Sequence, residues 1–153
     1  MFSKKFTFKF ETTMETSIEK LFTFHTDTNN LPKITPPWIK VKIVDLTLPL
    51  KEGSEISLDI KQYGLTNRWV MQIDKMQASS IICDLALKSP FKSFYHERKF
   101  EKMDENHAKL IDLIIVELPL YPLSIIAVPF MKYDMDRMFT YRHEKIKEIL
   151  TIG

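Results

Sequence analysis

Residues 131–150 read MKYDMDRMFTYRHEKIKEIL, and the spacing of their apolar side chains decides how the rest of the chain must be arranged. Met131, Met135, Met138, Phe139, Ile146, Ile149 and Leu150 recur at steps of three and four, so they line one face of a helix. Lys132, Asp136, Arg137, Glu144, Lys147 and Glu148 fall largely on the other face. Burying those seven apolar side chains would contribute roughly 10–20 kcal/mol gross, at about 1.5–3 kcal/mol each, so the helix needs a broad apolar partner. Almost everything before it alternates with the period of a strand, which makes that partner a sheet and the fold class α+β.

Working back from the helix, the N-terminal stretch from Phe2 to Thr13 places Phe6, Phe8 and Phe10 on one side and Thr7, Lys9 and Glu11 on the other. Thr16 or Ser17 can cap a short helix carrying Ile18, Leu21, Phe22 and Phe24, which ends by Asn29-Asn30. The proline-rich segment Leu31 to Pro37 follows as a turn, or as one more helical turn with an extended exit. Ile39–Val41–Ile43, Ile56–Leu58–Ile60, Trp69–Met71–Ile73 and Ile81 to Leu87 then read as strands. Lys51 to Ser54 and Tyr63 to Asn67 supply turns short enough for an antiparallel meander.

Phe91 to Phe100 and His107 to Glu117 flank Asp104-Glu105-Asn106, which predicts a three-residue hairpin with Asn106 in the left-handed region. Pairing Met103 with His107 sets Phe100 opposite Leu110, Arg98 opposite Asp112, His96 opposite Ile114 and Phe94 opposite Val116, all on one face. The other face then carries Ile111, Leu113 and Ile115 against Lys99, Glu97 and Tyr95, which is unusually apolar for an outer surface. Either that face is covered, for instance by a second copy of the chain, or the parity is inverted.

The chain has 153 residues, 44% of them hydrophobic, which suits one domain spanning residues 1–153 with a sizeable core. Its 22 basic and 20 acidic residues are interspersed, so no electrostatic footprint for nucleic acid is present. The lone cysteine, Cys83, excludes an internal disulfide and reads as a small buried hydrophobe in its apolar run. The alternating N-terminus lacks the pattern of a signal peptide, which leads us to expect a cytoplasmic protein. Leu118 to Met131 is too short and too rich in proline for stable membrane insertion. Within it, Leu118 to Pro129 reads as an irregular loop that packs under the helix, gates a ligand or touches a membrane surface.

Larger motifs are spread along the chain in a fixed order: Ile82-x-Asp84, Ser89-Pro90-Phe91, Phe94-x-His96-x-Arg98-x-Phe100, Asp112-x-Ile114-x-Val116-x-x-Pro119 and Phe139-x-Tyr141-Arg142-His143. Together with the element order they resemble the START-like (SRPBCC) superfamily, which includes polyketide cyclase/dehydrase-like and Bet v 1-like ligand-binding proteins. They are most similar to a bacterial branch with the pattern F-x-D-x-Q-x-x-G-P-F, W-x-H-x-H-x-F, D-x-V-x-Y-x-x-P and F-x-Y-R. This sequence departs from it at Ala86, Ser89, Phe94 and Arg98, where the branch has Gln, Gly, Trp and His. The resemblance implies a helix-grip fold: a curved antiparallel sheet of about six to seven strands wrapped around the long C-terminal helix, with short helices after the first strand. It also implies an apolar cavity between sheet and helix.

Such a cavity would be lined by Phe94, His96, Arg98, Asp112, Val116, Met135, Met138 and Phe139. Arg98, held by Asp112, could bind an acid or carbonyl group on an otherwise apolar ligand, or the two could form a structural ion pair. His96 is a candidate proton acceptor or a hydrogen-bonded core residue. Arg142 and His143 are explained by the favourable position of positive charge near a helix C-terminus. No nucleophile with base and orienting partner stands out, the histidines lack metal-ligand spacing, and neither a metal nor a cofactor is expected. The expected function is binding or transport of a small hydrophobic ligand, lipid-like or polyketide-like. The alternatives are a cyclase, aromatase or dehydratase-type enzyme using His96 and Arg98, and an interaction module that uses the outer sheet face to form a homodimer or bind a partner.

Overall fold

Strand alternation and one long amphipathic helix build the observed architecture, which a computed structural model describes for residues 4–151. Seven strands run β1 (Lys5–Met14), β2 (Lys40–Leu46), β3 (Glu55–Gln62), β4 (Leu65–Gln77), β5 (Ile81–Lys88), β6 (Ser93–Asp104) and β7 (His107–Glu117). They form one antiparallel sheet in the order β1-β7-β6-β5-β4-β3-β2, so β1 and β2 are its two edges. Helix α1 (Ile18–His25) and a 3-10 helix at Thr28–Ile34 link those edges. A second 3-10 helix, Leu123–Ala127, leads directly into α2 (Val128–Leu150). Phe2, at the start of the predicted first strand, lies outside the described residues.

Local chemistry accounts for the joins. Ser17 caps α1, its Oγ accepting the Lys20 amide N–H at 3.2 Å. Asp27 caps the following 3-10 helix by accepting the Asn29 amide N–H at 2.9 Å. Between β3 and β4 the turn is tighter than expected: Tyr63 and Gly64, both with positive φ, close a two-residue hairpin, and Leu65 to Asn67 already belong to β4.

The β6–β7 hairpin has the expected register, with Phe94, His96, Arg98 and Phe100 opposite Val116, Ile114, Asp112 and Leu110. Its turn is different. Asp104 pairs with His107 across Glu105-Asn106, and a register shift between Lys102 and Asp104 takes up Met103. Among the described residues the left-handed non-glycine positions are Tyr63, Ser79 and Leu120, and Asn106 is not one of them. Asp104 holds the turn instead, its Oδ1 accepting the Asn106 amide N–H at 2.8 Å and lying 2.8 Å from His107 Nδ1.

The parity is as first read: Ala108, Leu110, Asp112, Ile114 and Val116 are buried, and Ile111, Leu113 and Ile115 are half-buried on the convex face. Flanking side chains of β1 and β6 shield those three from full exposure, so an inverted parity is not needed to explain them.

On the concave face two clusters form. In one, Leu21 and Phe22 of α1 meet Met14, Ile73, Ile82, Phe100, Leu110 and Ile146. In the other, Phe8, Ile114 and Val116 of the sheet meet Met135 and Phe139 of α2. Of the apolar stripe on α2, Met135, Phe139 and Ile146 are buried, whereas Met131, Met138, Ile149 and Leu150 are half-buried. The stripe thus buries less than full packing would require, because part of it borders open space.

Candidate functional site

That open space is a partly open cavity of about 290 Å³ between the sheet and α2. Its walls are aromatic and thioether-rich: Trp69 from β4, Phe91 before β6, Phe94 from β6, and Met131, Met135, Met138 and Phe139 from α2. The rings of Trp69 and Phe94 meet edge to face at 5.0 Å and Phe91 lies 5.6 Å from Phe94, so the wall is braced by its own aromatic contacts. Asp134 ties α2 to the β3–β4 turn, accepting Gln62 Nε2–H at 3.0 Å and the Tyr63 hydroxyl at 2.8 Å. Gln62 and Asp134 both border the cavity, so this bond braces its rim.

Polar groups gather elsewhere on the lining, around Asp112. This carboxylate is 1% exposed and both of its oxygens are engaged: His96 Nε2–H donates to Oδ1 and His143 Nε2–H donates to Oδ2, each at 2.6 Å. Burial raises the pKa of such a carboxyl group, but the hydrogen bonds from His143 and His96 outweigh it and hold the Asp112 pKa below the usual carboxylate range. A carboxylate can only accept, so each imidazole carries its hydrogen on Nε2 and leaves Nδ1 for other work. His96 Nδ1 lies 3.9 Å from Asp84 Oδ1.

The pairing predicted between Arg98 and Asp112 is replaced. The two residues sit opposite one another in the ladder, yet Arg98 Nη2 is 3.7 Å from Asp84 Oδ1 on β5, beyond hydrogen-bond reach. Two histidines occupy the two oxygens of Asp112, and Arg98 turns to Asp84 instead. His143 is likewise not a helix-terminal charge: it occupies the buried stripe of α2 between Phe139 and Ile146. Its neighbour Arg142 turns to the cavity, with its guanidinium 5.0 Å above the Phe139 ring.

Of the expected lining residues, Phe94, His96, Arg98, Asp112, Met135, Met138 and Phe139 border the cavity. Val116 does not; it is fully buried in the cluster with Phe8 and Ile114. Residues 118–130 do not border it either, which leaves the gating role of that loop without a wall to gate. Its Leu120, Leu123 and Ile126 are exposed, and its Tyr121 packs edge-on against Phe6.

Sequence reasoning missed Asp84, Arg142, His143 and His25 as members of this constellation. For His143 a signal existed, since Phe139, His143 and Ile146 step by four and three along one helix face. His25 borders the cavity from α1 and its Nδ1 lies 2.9 Å from the Leu21 carbonyl, to which it donates. Burial, assisted by Arg98, lowers its pKa to about 3, so it is a neutral donor at physiological pH. Cys83 is buried, and desolvation raises its thiol pKa, which makes it a poor nucleophile. Among the described residues no group of three or more His, Cys, Asp or Glu is arranged to hold a metal ion. No described helix is long and apolar enough to cross a membrane.

No protein-family model and no curated protein matches the sequence. Solved structures do match the fold. A START superfamily protein from Mycobacterium smegmatis superposes with a TM-score of 0.72 at 13% identity, over 94% of this chain and 96% of that one. Ara h 8.0201 gives 0.64 at 17% identity, over 94% and 99%. Norcoclaurine synthase from Thalictrum flavum, in complex with dopamine and hydroxybenzaldehyde, gives 0.72 at 8% identity, over 96% and 87%. With its open seven-stranded antiparallel sheet closed around a long C-terminal helix, the chain has the helix-grip fold of the START-like superfamily.

Proposed function

We propose that this protein binds a small hydrophobic molecule in the cavity between the sheet and α2, as a carrier or sensor of that molecule. The observation that carries this reading is the hollow itself. Protein interiors are normally packed to crystal-like density, and about 290 Å³ left open against Trp69, Phe94, Met135 and Met138 forfeits contacts that a ligand would restore. Methionine walls adapt to irregular apolar shapes, which suits a lipid-like or polyketide-like occupant. The Thalictrum enzyme of the same fold, with two small aromatic molecules bound, supports reading such a fold as a container.

The test is titration with the neutral fluorophore N-phenyl-1-naphthylamine. Wild-type protein should bind it saturably at one site, and Met138→Trp, which fills the hollow, should weaken binding by roughly tenfold or more while the melting temperature is kept. A folded Met138→Trp protein that binds the dye as the wild type does would overturn the reading.

A second reading has its own observation: an imidazole in the cavity wall, oriented by a buried carboxylate, is the geometry of a general base. His96 would accept a proton at Nδ1 while Asp112 holds the ring. Catalysis of this kind requires turnover that collapses in His96→Gln while dye binding survives.

A further inference from the structure

Two guanidinium groups face the cavity with hydrogen-bonding capacity left over. Arg98 reaches it from β6 and Arg142 from α2, so the two guanidinium groups come from opposite walls. The Nε of each is buried and has no hydrogen-bond partner among the described residues. Asp84, the nearest carboxylate to Arg98, stands 3.7 Å away, and its Oδ1 also lacks a hydrogen-bond partner. Asp112 accepts one hydrogen bond on each oxygen, from His96 and His143. His25, the third basic side chain here, is neutral and spends its Nδ1–H on the Leu21 carbonyl.

A buried guanidinium without hydrogen bonds is costly, and each carries N–H donors arranged to meet two oxygens of one anion. The Phe139 ring beneath Arg142 fixes where that group can present them. Burial lowers the pKa of Arg142, with Asp112 and Asp84 opposing the shift and Arg98 adding to it. Trp69, Phe91, Phe94, Met131, Met135 and Met138 form an apolar wall, while Asp27, Asn30, Gln62 and Asp134 add polar groups elsewhere on the lining.

We propose that the ligand is an amphipathic acid: a carboxylate head held between Arg98 and Arg142, with an apolar tail lying along the Trp69, Phe94 and Met135 walls. This rests on the hydrophobic-cavity reading and adds the chemical class of the occupant. The His96–Asp112–His143 bridge engages both oxygens of Asp112, and among the described residues no hydrogen bond joins that carboxylate to either arginine.

The experiment is a matched calorimetric comparison of straight-chain alkanoates and the corresponding 1-alkanols, from hexyl to dodecyl, at pH 8. The wild type should prefer the alkanoate over the alkanol of equal length by about tenfold or more, the effect of a charge-assisted hydrogen bond. Arg98→Met and Arg142→Met should each cut that preference to roughly threefold or less while leaving alkanol affinity in place. Equal affinity of the wild type for acid and alcohol would overturn the proposal and leave the hydrophobic cavity standing. An undiminished preference in folded Arg98→Met and Arg142→Met proteins would also overturn it. Failure of both series at every length would overturn the cavity reading along with it.

Discussion

The two halves of the concave face are built from the same elements and end up in opposite states. Toward α1, β7 contributes Ala108 and Leu110 and α2 contributes Ile146, all at 0% exposure in a filled core. Toward the other end, the same strand and helix contribute Ile114, Met135 and Phe139, and beside them lies a cavity. The boundary is a polar layer: Asp112 follows Leu110 and precedes Ile114 on β7, and His143 lies between Phe139 and Ile146 on α2. The difference teaches that this sheet is packed solid around Leu110 and Ile146 and left open beside Met135 and Phe139, although Ile56, Leu58 and Trp69 of the first cluster also border the cavity.

Breaking the boundary should have the largest effect. Asp112→Ala removes the acceptor of two buried imidazoles and a negative charge that stabilises the Arg142 guanidinium, and it should cost about 3–5 kcal/mol, read as a fall in the urea midpoint. A loss under about 1 kcal/mol would show that the layer does not separate the halves.

The halves themselves should respond unequally to the same truncation. Ile146→Ala opens a hole in a filled core and should cost about 2–5 kcal/mol. Met138→Ala enlarges a hollow that already exists and should cost less than about 1 kcal/mol, while altering ligand affinity. Equal losses in chemical denaturation would erase the distinction.

Acid should act through His25, which closes the filled half against the cavity. Its folded pKa lies near 3, below the value near 6.5 expected in the unfolded chain, so the unfolded state binds the extra proton. Stability is therefore complete above about pH 6.5 and falls as the pH drops toward 3, by about 2 kcal/mol at pH 5. His25→Phe should flatten that slope in a series of urea titrations; an unchanged slope would place the acid sensitivity elsewhere.

Much of this comparison could be read before the structure was known. Period-two alternation is enough to put Phe100 opposite Leu110 and Arg98 opposite Asp112, because one face of the hairpin is buried and a one-residue slip would invert it. The turn was harder, since a bulge at Met103 preserves the register while changing which residues turn the chain. The polar partners were hardest. Asp112 and His143 are 31 residues apart, on a strand and a helix whose relative rotation no local pattern states. Asp84 reaches Arg98 only through the β5–β6 register, which depends on the irregular stretch from Ser89 to Lys92. Local periodicity thus reveals faces, while partners across layers depend on how the layers dock.

The most direct test of a hollow half beside a filled one uses the methionines, which sample both. In protein labelled with 13C at the methionine methyl groups, NMR titration with decanoate should shift Met71, Met131, Met135 and Met138, which border the cavity. Met14 in the filled core and Met103 at the hairpin tip should stay in place. Shifts concentrated at Met14 or Met103, with the four cavity methyls unmoved at saturation, would contradict the account.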